Sequence, residues 1–232
     1  MPPSPSGVRQ QRFHSPAGAT DVLLIRHGES APAEPGAPFP LVDGHGDPPL
    51  HPDGREQASR VADRLAGEDL AAIYVTNLRR TAETAAPLAE RLGLGPVVEA
   101  DLREVHLGEW EGGVFRQRVA EGHPIVARLR EEERWDLIPG AEPASEFAAR
   151  VRAGLLRIVS AHPDRVVAVF THGGVIGQIL GEATGARSFA FTGADNASIS
   201  HVVVTEDRWV LRRYNDTTHL GPRFASAAQP PT

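Results

Sequence analysis

The amino-acid sequence predicts an α/β protein, a doubly wound and mostly parallel sheet flanked by helices, with a helical insertion and a terminal hairpin. Three observations carry that prediction. Short β-type runs alternate with longer stretches of helical periodicity, the signature of strands linked by crossover helices. The run Val166–Phe170 is apolar throughout, as expected of a strand buried on both faces of a parallel sheet. The chain closes on two β-type runs, Ser198–Thr205 and Trp209–Tyr214, separated by Glu206-Asp207-Arg208, which read as a hairpin.

Taken in order, residues 1–20 are rich in Pro, Ser and Gln and lack an apolar core, so they read as a flexible tail and not as a secretion signal. Val22–Ile25 is a buried strand that opens into a loop at Arg26-His27-Gly28. Between Ser30 and Pro52 lie seven prolines, which exclude helix and central strand there. Gly54–Leu65 places Ala58, Val61, Ala62 and Leu65 on one helical face. Ala72–Val75 is the second strand, Leu78–Leu92 the second helix and Val97–Glu99 a short third strand. Residues 113–140 form a charged helical insertion, and a further helix follows Val166–Phe170 through about Leu180. Residues 225–232 read as a second tail, leaving one domain over 21–224.

Composition narrows the class. A chain of 232 residues with 41% apolar and 23% charged residues is long enough for one well-filled core. The net charge of -6 points away from nucleic acid and anionic membranes. No apolar run approaches the roughly 20 residues that span a bilayer, so a cytoplasmic protein is expected. There is no cysteine, which excludes disulfides, thiolate metal sites and a cysteine nucleophile.

Two histidines stand at strand ends, His27 after the first strand and His172 after Val166–Phe170, 145 positions apart. Ligands of open α/β sheets sit at the carboxyl ends of the strands, so the two are expected to converge. Each precedes a glycine that lets backbone approach a ligand, and the helix behind His172 offers free N–H groups to an anion. Either histidine alone reads equally well as a hydrogen-bonded structural residue.

Leu24-Ile25-Arg26-His27-Gly28-Glu29-Ser30 resembles the signature of the histidine phosphatase superfamily, whose fold is phosphoglycerate mutase-like. Further segments follow in the order of that family. These are Asp47–Ala58 (with His51 where threonine is usual), Thr76–Ala85, Leu102–Gly112, Val169–Gly174 and the closing Tyr214–Leu220. The resemblance spans about residues 21 to 220. It implies His27 as a phosphate-accepting nucleophile, Arg26 and Arg80 as guanidinium clamps on the phosphate, and His172 as a further donor. Glu104 is implied as the acid that protonates the leaving oxygen and then activates water. Gly173 and the Ser30 hydroxyl are candidate phosphate contacts. No metal and no cofactor is expected, because the cations already offset the phosphate charge.

Competing readings accompany these assignments. Arg79 is expected to be solvated opposite Arg80. Glu99, Asp101, Glu109 and Glu111 compete with Glu104 on charge alone. His45, His51, His123, His162 and His201 read as solvated or structural, His106 and His219 as packing residues, and Trp110 as a core or rim aromatic. The loop Ser30-Ala31-Pro32-Ala33-Glu34-Pro35 lacks the asparagine with which many relatives bind phosphate. The insertion, with Arg116, Arg118, Arg128 and Arg130, is either a solvated helical pair or a cap that selects substrate. The leading function is a phosphomonoesterase for a small phosphorylated metabolite. Its alternatives are a phosphoglycerate mutase and a catalytically weak phosphate- or protein-binding member of the fold. The mutases carry Glu-Arg-His-Tyr-Gly where this chain has Glu104-Val105-His106-Leu107-Gly108, which disfavours retention of a second anionic group. A homodimer through the terminal hairpin is one assembly the pattern allows.

Overall fold

The computed structural model describes residues 10–187 and 189–221. The C-terminal tail expected at 225–232, like the first nine residues, lies outside them. Six strands form one sheet in the order β5-β4-β6-β1-β7-β8. They are β1 (Thr20–Arg26), β4 (Leu70–Val75), β5 (Val97–Val98), β6 (Val166–Thr171), β7 (Ile199–Val204) and β8 (Trp209–Asp216). β1, β6, β4 and β5 are parallel, while β7 and β8 are antiparallel additions. The terminal hairpin is therefore present, and β8 forms a sheet edge whose Arg212 and Arg213 are exposed. A separate two-stranded ribbon, β2 (Leu41–Val42) with β3 (His45–Gly46), lies within the proline-rich segment.

Side-chain alternation divides the core between the two faces of the sheet. Val22, Leu24, Val167 and Val169 face α5 (Ala144–Ala161) and α6 (Gly173–Thr184). Ile25, Ile73, Ala168 and Phe170 face α1 (Pro52–Leu65) and α2 (Arg79–Leu92). This is the doubly wound arrangement, in which strands buried on both sides are apolar at successive positions. The helix α5 had no counterpart in the sequence expectations, although Phe147, Val151, Leu155 and Ile158 recur at helical spacing and are all buried. The N-terminal boundary also differs. Ala19 is buried, Thr20 already belongs to β1, and the Gly18 amide donates to Asp164 Oδ1 at 2.6 Å, so order begins before residue 21.

Helix starts are locally encoded. His51 caps α1, its Nδ1 accepting from the Asp53 amide at 3.3 Å, with Pro52 in the first turn where its missing N–H costs nothing. α2 ends on Gly93 in the left-handed region, φ 65°, as a helix C-terminus prefers. The insertion consists of two helices, α3 (Val114–Ala120) and α4 (Pro124–Glu132), over a small cluster of Trp110, Val126, Leu129 and Ile138. Among the described residues no helix is long and apolar enough to cross a membrane.

Candidate active site

Strand register brings the two histidines together. Arg26 pairs with Thr171 across β1 and β6, and the His27 amide donates to Thr171 O at 3.0 Å. The next residues, His27 and His172, therefore leave the sheet side by side, their rings edge-on with centroids 5.3 Å apart. His27 Nδ1 lies 2.7 Å from Gly28 O. A carbonyl only accepts, so Nδ1 carries the proton and Nε2 keeps its lone pair. Asn196 Nδ2 donates to His27 O and Thr84 Oγ1 accepts from the Gly28 amide, both at 3.0 Å, which holds the loop from two sides. Gly28 also presses on the first turn of α1, where an added Cβ would lie 2.5 Å from Gly54 O. No other residue fits that approach.

Arg26, His27 and Arg80 line one cavity with Glu104, Gly173 and Gly174. Arg80, in the first turn of α2, is buried and donates from Nη1 to Gly46 O at 2.9 Å. Burial brings its pKa down to about 10. Arg79 instead points outward, about half exposed and paired with Glu83. Arg26 Nη1 donates to Ala194 O at 2.6 Å. Burial first, then the positive charges of Arg80 and Arg26, hold His27 well below the usual histidine range, so its ring is neutral. His172 is depressed likewise by burial and then by Arg80.

His172 sits behind His27, fully buried and outside the residues that line the cavity. Its Nε2 is 3.1 Å from Thr76 Oγ1, and its Nδ1 has no partner. Glu104 Oε2 accepts from the Gly174 amide at 3.1 Å, and a Cβ on Gly174 would fall 2.4 Å from Glu104 Oε1. The second glycine of His172-Gly173-Gly174 is thus the one that admits the carboxylate, whereas Gly173 has ordinary space around it.

Glu104 is held indirectly. Arg150 of α5 donates to the carbonyls of Asp101, Arg103 and Glu104 at 2.7, 2.7 and 2.8 Å, and pairs with Glu142 through Nε at 2.6 Å and Nη2 at 2.7 Å. Both partners are nearly buried, with side chains 11% and 12% exposed. This hub lay outside the sequence expectations because α5 did.

Two further placements differ from expectation, and a third settles between two readings of the insertion. Ser30 is buried but is not on the cavity wall; its Oγ accepts from Arg116 Nη2 at 2.6 Å. The loop turns Ser30 away because its backbone bridges to Leu50. His45, expected to be solvated or structural, lines the cavity, its Nδ1 donating to Asp43 O at 3.0 Å and its ring edge-on to His106. Arg116 of the insertion reaches the same cavity, as do Phe39, Val105, Leu107, Trp110, Phe115 and Trp135. The insertion is therefore a wall of the site. Trp110 is both core and cavity lining, being 6% exposed. Four other histidines are structural: His123 caps α4, His162 bonds Tyr74 at 2.9 Å, His201 bonds Asp21 at 2.7 Å, and His219 bonds Ala197 O at 3.0 Å. Among the described residues Glu29, His51 and Asp53 are close enough to share a metal ion, but they are not on the cavity wall.

A neutral histidine between guanidinium groups, with a carboxylate opposite, at the strand ends of a doubly wound sheet, defines a phosphohydrolase site. The sequence profile of the histidine phosphatase superfamily (branch 1) matches residues 22–217, and the chain belongs to that family. It is 32% identical to phosphoglycerate mutase-like protein 4 of Arabidopsis thaliana, over 92% of this chain and 93% of that one. It is 31% identical to the metal-independent phosphoserine phosphatase of the same plant, over 87% and 83%. Among solved structures, the native mycobacterial glucosyl-3-phosphoglycerate phosphatase superposes with a TM-score of 0.69 at 29% identity, covering 86% of this chain and all of that one.

Proposed function

We propose that the protein is a phosphomonoesterase that hydrolyses a small phosphorylated metabolite through a phosphohistidine on His27. The observation that carries this is the bond from His27 Nδ1 to Gly28 O, which leaves Nε2 as the nucleophilic atom in a cavity shared with Arg26 and Arg80. In the first step Nε2 bonds to phosphorus as the ester P–O bond breaks, and Glu104, protonated, gives its proton to the departing alkoxide. In the second, Glu104 takes a proton from water, the water oxygen bonds to phosphorus, and the P–N bond breaks to restore His27. Arg26 and Arg80 offset charge on the phosphoryl oxygens, while His172 packs behind His27. The name of the phosphoserine phosphatase relative supports a reaction without metal. A homodimer along β8 would have to cover Arg212 and Arg213.

The mutase reading is disfavoured by the wall itself. Val105 and Leu107 line the cavity, and neither can pair with the second anionic group of a bisphosphorylated intermediate. With Arg116 engaged on the transferred phosphoryl group, that second group is left desolvated and unpaired, at a cost of several kcal/mol. Purified protein incubated with 3-phosphoglycerate and a trace of 2,3-bisphosphoglycerate should release phosphate or leave both unchanged, and a panel of phosphomonoesters should be hydrolysed equally well after chelation with EDTA. Isomerisation much faster than phosphate release would establish the mutase. Activity lost on chelation and restored by one divalent ion would establish a metallophosphatase.

A further inference from the structure

We propose that Arg116 is a third guanidinium donor to the transferred phosphoryl group, carried into the cavity by the insertion and tied to the loop behind the nucleophile. This rests on the phosphohydrolase reading and adds to it a residue outside the signature segments. Arg116 lies on α3, and its guanidinium is fastened at two points, Nη1 to Ala31 O at 2.8 Å and Nη2 to Ser30 Oγ at 2.6 Å. Both acceptors belong to the loop that leaves His27, three and four residues on, and not to the segment that carries Glu104. A third support is the ring of Phe39, with the guanidinium carbon 5.4 Å from its centroid. The tethered head is thereby held on the nucleophile side of the cavity, which it lines together with Arg26, His27 and Arg80.

The charge distribution agrees with that position. The positive charge of Arg116 is felt at His27, where it adds to the depression caused by burial, Arg80 and Arg26. Arg116 is itself lowered by burial and then by Arg26. Among the described residues neither Arg80 nor Arg116 forms an ion pair. A partly desolvated guanidinium without a carboxylate is costly unless an anion arrives to pair with it. Two of its five N–H groups are spent on the tethers, so three remain for phosphoryl oxygens. The other wall of the cavity, Val105, Leu107, Trp110, Phe115 and Trp135, is apolar. With Arg116 committed to the phosphate, that wall is left to a neutral, largely apolar leaving group.

Titration with inorganic phosphate, followed by calorimetry, tests the assignment without requiring turnover. Arg116→Met should weaken phosphate binding about ten- to a hundred-fold, as expected for loss of charge-assisted hydrogen bonds. It should raise KM by a similar factor for every ester, whether or not the ester carries a second anion. Arg118→Met, on the same helix but half-exposed and paired with Glu121, should change neither. Ser30→Ala and Arg116→Lys keep the charge but loosen the fork, and should lose several-fold, which covers the case of Arg116→Met failing to fold. Unchanged phosphate affinity in Arg116→Met, with a KM loss confined to esters bearing a second anion, would overturn the proposal and place Arg116 on the leaving group. A wild type that binds phosphate, and an Arg116→Met that does not, would sustain it even if no ester were turned over, an outcome that would sink only the enzymatic reading.

Discussion

On one side of the cavity the side chains hang directly from secondary structure: His27 follows β1, with His172 behind it at the end of β6, and Arg80 sits in the first turn of α2. Backbone bonds between parallel strands set their positions, and Thr84 and Asn196 brace the loop. On the other side Glu104, Val105 and Leu107 lie in an irregular segment, held by the Arg150–Glu142 hub and covered by α3 and α4. The first half is placed by the sheet, the second by side chains reaching over from distant elements. The comparison teaches that the two halves rest mainly on different elements and meet at few points, the Gly174 amide on Glu104, Thr171 on Leu102 O and Arg116 on the loop after His27.

The contrast is broken most directly at its rigid side. His27→Ala should lower turnover on the order of 10⁴-fold or more, since the variant lacks the Nε2 that accepts the phosphoryl group, while the thermal transition is preserved. Alkaline quenching should trap labelled phosphohistidine on the wild type and none on the variant. Substantial residual activity would remove His27 from the reaction.

Across the cavity, Glu104→Gln should behave selectively. Alkyl phosphates should slow by about 10² to 10⁴-fold, whereas nitrophenyl phosphate, whose leaving group departs with little protonic help, should slow far less. Equal slowing of both would make Glu104 a positioning group and turn attention to Glu111, which also lines the cavity.

Arg150→Met probes how that side is supported. It strands the buried Glu142 and leaves three carbonyls of the Glu104 segment without their donor, a loss of about 3–5 kcal/mol in denaturant unfolding. Arg157→Met removes pairs to Glu99 and Asp101, but its side chain is 52% exposed, so about 1 kcal/mol or less is expected. A small effect at Arg150 would mean that the segment is held by its own backbone.

The smallest effect is on pH dependence. His27 and His172 both titrate well below the usual value of about 6.5 because burial and Arg80 disfavour their charged rings. Their rings should stay neutral by NMR as pH falls through 6.5. The unfolded chain takes up those protons first, so the stability they contribute is complete above about 6.5 and declines as pH falls toward the folded-state values. Replacing His172 by Gln should flatten that decline. Ring titration near 6.5 in the folded protein would contradict the buried, cation-flanked site.

The half built on regular elements was the more legible: Arg26, His27 and Arg80, in segments whose local pattern and family resemblance coincide, all line the cavity, whereas His172 lies behind it. The loop-borne half was legible only in part. Glu104 was singled out by its segment alone, and the structure shows why it differs from Glu99 and Asp101, which pair with Arg157 away from the cavity. Ser30 was assigned the phosphate but holds an arginine, and His45 was set aside yet lines the wall. For Arg116 and Arg150 no local pattern distinguishes a cavity guanidinium from the surface arginines Arg118 and Arg128.

The sequence by itself determined the strand and helix alternation, the sheet class, and a histidine beside an arginine at a strand end. These follow from apolar periodicity and short-range geometry, which neighbouring residues encode. Only the tertiary structure decided which arginines reach the cavity, which glycine admits Glu104, and that the insertion walls the cavity. Those contacts join residues such as Ser30 and Arg116, or Glu104 and Arg150, that are far apart in the chain. Whether a charged side chain meets water or a partner there depends on which elements pack over it, and that is a property of the assembled fold.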